Sequence, residues 1–153
     1  MNMKRITVKS NRREELLDVT GPVRKALKEF GCASGTLTLY VPHTTAAVTI
    51  NEGADPDVAQ DILDGLEKIA PRSRHWRHTE GNADAHLKAS LIGSSVIVIV
   101  ENGDLALGTW QKIFFCEFDG PRTRTVFATF TEAVSKSKDH GVCHSERSEE
   151  SQA

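Results

Sequence analysis

The sequence has no long apolar run. Its longest, Val96 to Val100, falls far short of the roughly 20 residues that a membrane span needs, so no membrane partner is expected. The amino-terminal stretch Met-Asn-Met-Lys-Arg-Ile-Thr-Val carries charge with no apolar segment behind it. It does not read as a secretion signal, and the cytoplasm is the expected location. Cysteine is scarce and odd in number. Cys32, Cys116 and Cys143 show no Cys-x-x-Cys spacing, which argues against a disulfide framework and a structural zinc ribbon. Cys32, at an expected helix end, and Cys116, inside an expected strand, read as small buried hydrophobes. A strong charge bias is also missing. The formal net charge of −2 argues against a dominant nucleic-acid surface and leaves room only for a local basic pocket.

What is present fits one globular domain. The 153 residues, 39% hydrophobic and 26% charged, can bury roughly two thirds of their unfolded surface. Residues 3–9 read as an edge strand and Leu16 to Val19 as a second. Thr20 is expected to cap a helix through Val23, Ala26, Leu27 and Phe30, with Pro22 in its first turn and Gly31 as its stop. Residues 35–42 alternate Thr and Leu up to Pro42, as a half-buried strand does. Asp55-Pro56 opens a second helix with Val58, Ile62, Leu63, Leu66 and Ile69 as its core stripe, and Asp57, Asp61 and Asp64 on a solvated face. Asn82 to Gly93 is a third helix, with Asn82 as cap and Leu87 and Leu91 sharing a face. Ser95 to Glu101 is expected to be a central strand buried on both faces. Asn102-Gly103 marks a hairpin, followed by strands over Lys112 to Phe118 and Arg122 to Thr131. The domain is assigned to residues 1–134. Residues 135–153, rich in serine and charge, read as a disordered polar tail.

The chemistry concentrates in residues 75–86, which hold His75, His78 and His86 beside Glu80, Asn82 and Asp84. His78 and His86 are too far apart for one helix face, so they meet only if the chain turns at Gly81-Asn82. A second histidine, His43, leaves a strand end after Pro42, followed by Thr44 and Thr45. Their hydroxyls and the free amides of such a corner suit a phosphate or carboxylate. His43, His78 and His86 are the candidates for the ligand set of an open catalytic metal site, with His75 as a spare; imidazole suits zinc, copper, nickel or iron, and zinc is the default. Such a metal polarises an oxygen or activates water. Glu52, Glu80 and Asp84 are the candidates for orienting ligands or moving protons, and Arg122 and Arg124 for clamping an anion. The alternative for each of these histidines is a polar loop residue without a site.

Four ordered motifs carry a resemblance. They are His43-Thr44-Thr45-Ala46 with Asn51-Glu52, then His78 with Gly81-Asn82-Ala83-Asp84-Ala85-His86, then Gly108-Thr109-Trp110-Gln111, and finally Glu117-Phe118-Asp119-Gly120-Pro121-Arg122. Over roughly residues 3–132 the chain resembles the YjbQ, or UPF0047, family. The resemblance implies a single α+β domain with a mixed, mostly antiparallel sheet and packed helices, assembled as a homotrimer with sites near subunit boundaries. It also implies a divalent metal, zinc by default, on His43, His78 and His86. Thr44, Thr45, Asn82, Gln111 and Arg122 are then expected around a small phosphorylated metabolite. The implied activity is thiamine-phosphate synthase-like, a transfer in which diphosphate is displaced. A metal-dependent hydrolase or phosphatase, or a trimeric metal and metabolite binder without turnover, are the rival readings.

Overall fold

A computed structural model describes residues 2–134; the expected tail at 135–153 lies outside them. Among the described residues, the chain folds as an α+β protein with two antiparallel sheets and three helices. The larger sheet has the order β1 (Met3–Lys9), β8 (Thr123–Glu132), β3 (Gly35–Tyr40), β5 (Ser95–Glu101), β6 (Asp104–Leu105). The smaller sheet has the order β2 (Glu15–Asp18), β7 (Gln111–Glu117), β4 (Ala46–Glu52). The strand pairings are antiparallel in both. The helices are α1 (Thr20–Phe30), α2 (Pro56–Ile69) and α3 (Ala83–Ile92).

Period-two patterning decides how the layers stack. Leu37, Leu39, Val98, Val100, Val126 and Ala128 turn one face of the larger sheet inward. They meet Val48, Ile113 and Phe115 of the smaller sheet, and α1 adds Val23, Leu27 and Phe30. The other face of the smaller sheet buries Ala47, Cys116 and Phe118 against Leu66 of α2 and Ala85 and Ala89 of α3. Burial pushes the Cys116 thiol up to about 12, so it is inert packing rather than a nucleophile.

Several local expectations are corrected. β5 is not buried on both faces: Ile97 and Ile99 are 66% and 64% exposed. An unbroken apolar run does not by itself distinguish a strand covered on both sides from one with a bare outer face. The uncovered face continues through Tyr40 and the half-buried Phe127, which makes it an apolar patch in the single chain. Thr20 lies inside α1, whose cap is Val19, and the Thr20 hydroxyl instead accepts the Ile113 amide at 2.9 Å. Asn82 occupies the cap position of α3 without a side-chain bond to the helix.

The largest inversion is in α3. Leu87 and Leu91 face outward, while Asp84 and Lys88 face inward, Lys88 with 1% exposure. The Lys88 ammonium is held by Glu14 at 2.5 Å, Glu67 at 2.6 Å and Asp84 at 3.1 Å, and Arg13 grips Asp84 through both guanidinium nitrogens. A buried charge survives only when it is paired and bonded in this way.

A second buried pair joins the sheets. Glu117, with 0% exposure, binds Arg124 at 2.9 and 2.5 Å and accepts the Ser10 hydroxyl at 2.9 Å and the Asp119 amide at 3.0 Å. Burial opposes the charged carboxylate, but these donors outweigh it and hold the Glu117 carboxyl below its ordinary range. Gly120 passes so close to the Arg12 carbonyl that a side chain there would collide with backbone. We expect Glu117→Ala to cost about 3–5 kcal/mol, because it strands the Arg124 charge in the interior. Urea denaturation would measure this; a loss under about 1 kcal/mol would contradict the pairing argument.

Candidate functional site

Two segments bring histidines to one surface, and the chain between them explains how. Pro71 follows α2 and cannot continue it. Trp76 then pins the connecting loop by donating its indole N–H to the Pro71 carbonyl at 3.1 Å. Gly81, with φ +81°, makes the turn that glycine alone enters freely. The loop returns to α3 with the His78 and His86 rings 5.2 Å apart, edge to face. The turn between α3 and β5 is docked by the Val48 amide on Gly93 and the Val41 amide on Ser94. This docking sets β4's entry, and so His43, on the other side of His86.

His86 therefore divides two clefts. The first, of about 570 Å³, is lined by Arg74, His75, Trp76, Arg77, His78 and Leu87, with His86 and Ala83 at its wall. The second, of about 520 Å³, runs past His43, Thr44, His86, Ser90 and Ser94. Both have the size of a small-metabolite site.

Hydrogen bonding assigns the ring nitrogens. The Asn82 amide donates through Nδ2 to Asp119 Oδ2 at 2.9 Å, so its Oδ1 faces His78 Nε2 at 3.1 Å. His78 Nε2 must donate, which leaves the lone pair of the neutral ring on Nδ1. Glu80 lies 3.6 Å from the same nitrogen. Among the described residues, neither ring nitrogen of His86 is bonded to protein. His43 differs: its Nε2 accepts the Thr125 amide at 2.9 Å, so in the neutral ring Nδ1 carries the proton. Burial lowers the His43 pKa, and the Arg124 charge lowers it further.

The fit to a metal is partial. His78 and His86 each present a free nitrogen, whereas the His43 lone pair is already engaged. Among the described residues, the group of three potential ligands whose donor atoms lie within 4.8 Å of one another is Glu14, Glu67 and Asp84. That group encloses Lys88, whose own charge occupies the space. The single chain thus assembles two of the three expected histidine ligands.

The remaining expected residues divide. Thr44 lines the second cleft. Thr45 is buried and accepts from Arg124 at 2.9 Å. Arg124 is thereby a structural cation, and Arg122 is bound twice to Asp119, at 2.8 and 3.1 Å. Asp84, expected to orient ligands or move protons, is committed to Arg13 and Lys88, which outweigh its burial and hold its carboxyl low. Glu52 and Gln111 face each other at the far end of β4, about 20 Å of strand away from the histidine end. Spacing of the histidines does not single out Arg74, Trp76 and Arg77; their signal is the run of residues 71–79, with arginine and histidine but no acid.

An α+β double-sheet architecture with a histidine-walled, arginine-edged cleft is the class these features define. The profile described as UPF0047 protein YjbQ-like matches residues 4–133. The UPF0047 protein YugU of Bacillus subtilis is 52% identical over 126 residues, 82% of this chain and 96% of that relative. A UPF0047 protein of Methanocaldococcus jannaschii is 49% identical, covering 78% of this chain and 87% of its own. A hypothetical protein of Aeropyrum pernix K1 superposes with a TM-score of 0.82 at 44% identity, over 87% of this chain and 100% of that one. The chain belongs to the UPF0047 family of YjbQ-like proteins. No helix among the described residues is long and apolar enough to cross a membrane.

The site generates a pH expectation. A histidine whose folded pKa lies below its unfolded value of about 6.5 favours folding fully above that value. It loses this contribution as pH falls through its folded pKa. His43 should titrate below 6.5 by NMR, with the Nδ1–H tautomer above its pKa, and His43→Gln should flatten the stability profile in that acid window. A His43 titration at or above 6.5 would refute the assignment.

Proposed function

We propose that the protein is a metal-dependent enzyme acting on a small phosphorylated metabolite, with a thiamine-phosphate synthase-like transfer that displaces diphosphate. The observation that carries this reading is the His78–His86 pair at the wall of the first cleft, each ring with a free nitrogen. Imidazole ligands suit zinc, copper, nickel or iron, and zinc is taken as the default. A divalent ion here would offset charge developing on the departing diphosphate. His78 and His86 would hold it, with Glu80 and Asn82 orienting His78. His43 presents a neutral N–H from the second cleft, suited to orienting an acceptor. Trp76 and Leu87 give the first cleft apolar lining.

The homotrimer belongs to the same proposal. The uncovered face of the larger sheet, with Tyr40, Ile97 and Ile99 exposed, supports association with further copies. Association also offers a route for Glu52, Trp110 and Gln111, remote within one chain, to approach a site on another.

Native mass spectrometry tests metal and assembly together. The wild type should be a trimer carrying one zinc per chain. His86→Ala should be a zinc-free trimer, and Ile97→Lys/Ile99→Lys a monomer. Diphosphate release from a pyrimidine diphosphate with a thiazole phosphate should fall at least about 100-fold in His86→Ala, the scale of losing one catalytic group. Release without the thiazole partner would favour the hydrolase, and zinc without any turnover would favour the binder. Wild-type protein that takes up no zinc would refute the proposal.

A further inference from the structure

The sequence offers Arg122 and Arg124 for the expected anion, but Arg124 is buried on Glu117 and Arg122 is spent on Asp119. It donates through Nε to the Asp119 carbonyl and through Nη2 to its carboxylate. The loop that carries His78 has the opposite character. Between Pro71 and Thr79 it carries Arg72, Arg74 and Arg77 and no acid. Among the described residues, none of the three guanidiniums has a carboxylate within 4.0 Å. Arg74 and Arg77 both line the first cleft.

We infer that Arg74 and Arg77 form a diphosphate-binding clamp at the mouth of the first cleft. Three observations converge on it. The Arg74 guanidinium lies over the Trp76 ring, 4.8 Å from its centroid, and Trp76 is itself tethered to Pro71. Stacking pre-orients the planar fork and reduces the entropy lost on binding. The amino-terminus of α3 reaches the same cleft through Ala83, and its cap residue Asn82 makes no side-chain bond to the helix. Its first amides thus add a partial positive charge beside the clamp. Finally, two guanidinium forks three residues apart match two phosphoryl groups better than one, since each accepts a bidentate bond. The apolar surfaces of Trp76 and Leu87 leave space beside the clamp for the organic part of a diphosphate ester.

This assignment rests on the proposed phosphorylated substrate but not on the metal, and the test separates them. Inorganic pyrophosphate and orthophosphate would be titrated into EDTA-treated full-length protein carrying Trp110→Phe, so that Trp76 is the remaining tryptophan. Pyrophosphate should bind at least about tenfold tighter than orthophosphate. Arg74→Gln and Arg77→Gln should each weaken pyrophosphate about tenfold, and the double variant about 100-fold, as expected for a lost charge-assisted bond. Arg122→Gln should stay within about twofold. These arginines are exposed, so the variants should keep the wild-type melting temperature. Wild-type affinity in the double variant, an equal loss in Arg122→Gln, or no pyrophosphate binding at millimolar concentration would each overturn the clamp. Zinc content, measured separately, bears only on the metal.

Discussion

Both histidine-bearing segments hang from one buried ion pair, Glu117 with Arg124. From Glu117 a chain of bonds runs through the Asp119 amide to the Asp119 carboxylate, then to Asn82, and ends on His78. From Arg124 a second route reaches Thr45, and the neighbouring Thr125 amide holds His43. Desolvating such a pair is costly, and its net contribution to stability is correspondingly small. Its value lies in geometry. Two loops far apart in sequence are registered against a common interior point, and the ring nitrogen that each histidine presents follows from that registration.

Helix α3 shows how the same economy works on the neighbouring wall. Its inward face is spent on Asp84 and Lys88, locked to Arg13, Glu14 and Glu67. This ionic anchor ties α2, α3 and the segment before β2 together beside the apolar contacts of Leu66, Ala85, Ala89 and Phe118. The outward face is then free to carry His86 between two clefts and Leu87 into one of them. The placement of a lysine in the interior and leucines at the surface is costly for a helix alone. It fits a helix whose exposed face carries the proposed ligand site.

Much of the architecture was readable in the chain, because it depends on local chemistry. Gly31 at φ 68° ends α1, Asp55 caps α2 by accepting the Asp57 amide, and Asn102-Gly103 turns β5 into β6 with positive φ at both residues. The approach of His78 to His86 across Gly81 also followed from spacing and turn chemistry. What escaped was set by long-range partners. No local pattern reveals that Lys88 meets Glu14 and Glu67, that Asp84 is claimed by Arg13, or that Thr125 takes the His43 lone pair. Periodicity likewise gave β5 a buried second face, because hydrophobic residues awaiting a partner and hydrophobic residues already covered look the same in sequence.

These threads meet at His86, where the proposed cation site, the proposed anion clamp and the second cleft adjoin. A crystal grown with zinc and pyrophosphate, measured on both sides of the zinc absorption edge, would test that convergence most directly. The account predicts an anomalous peak bonded to His78 Nδ1 and a ring nitrogen of His86, with diphosphate density reaching Arg74 and Arg77. Zinc seated instead among Glu14, Glu67 and Asp84, or absent from both imidazoles, would contradict it.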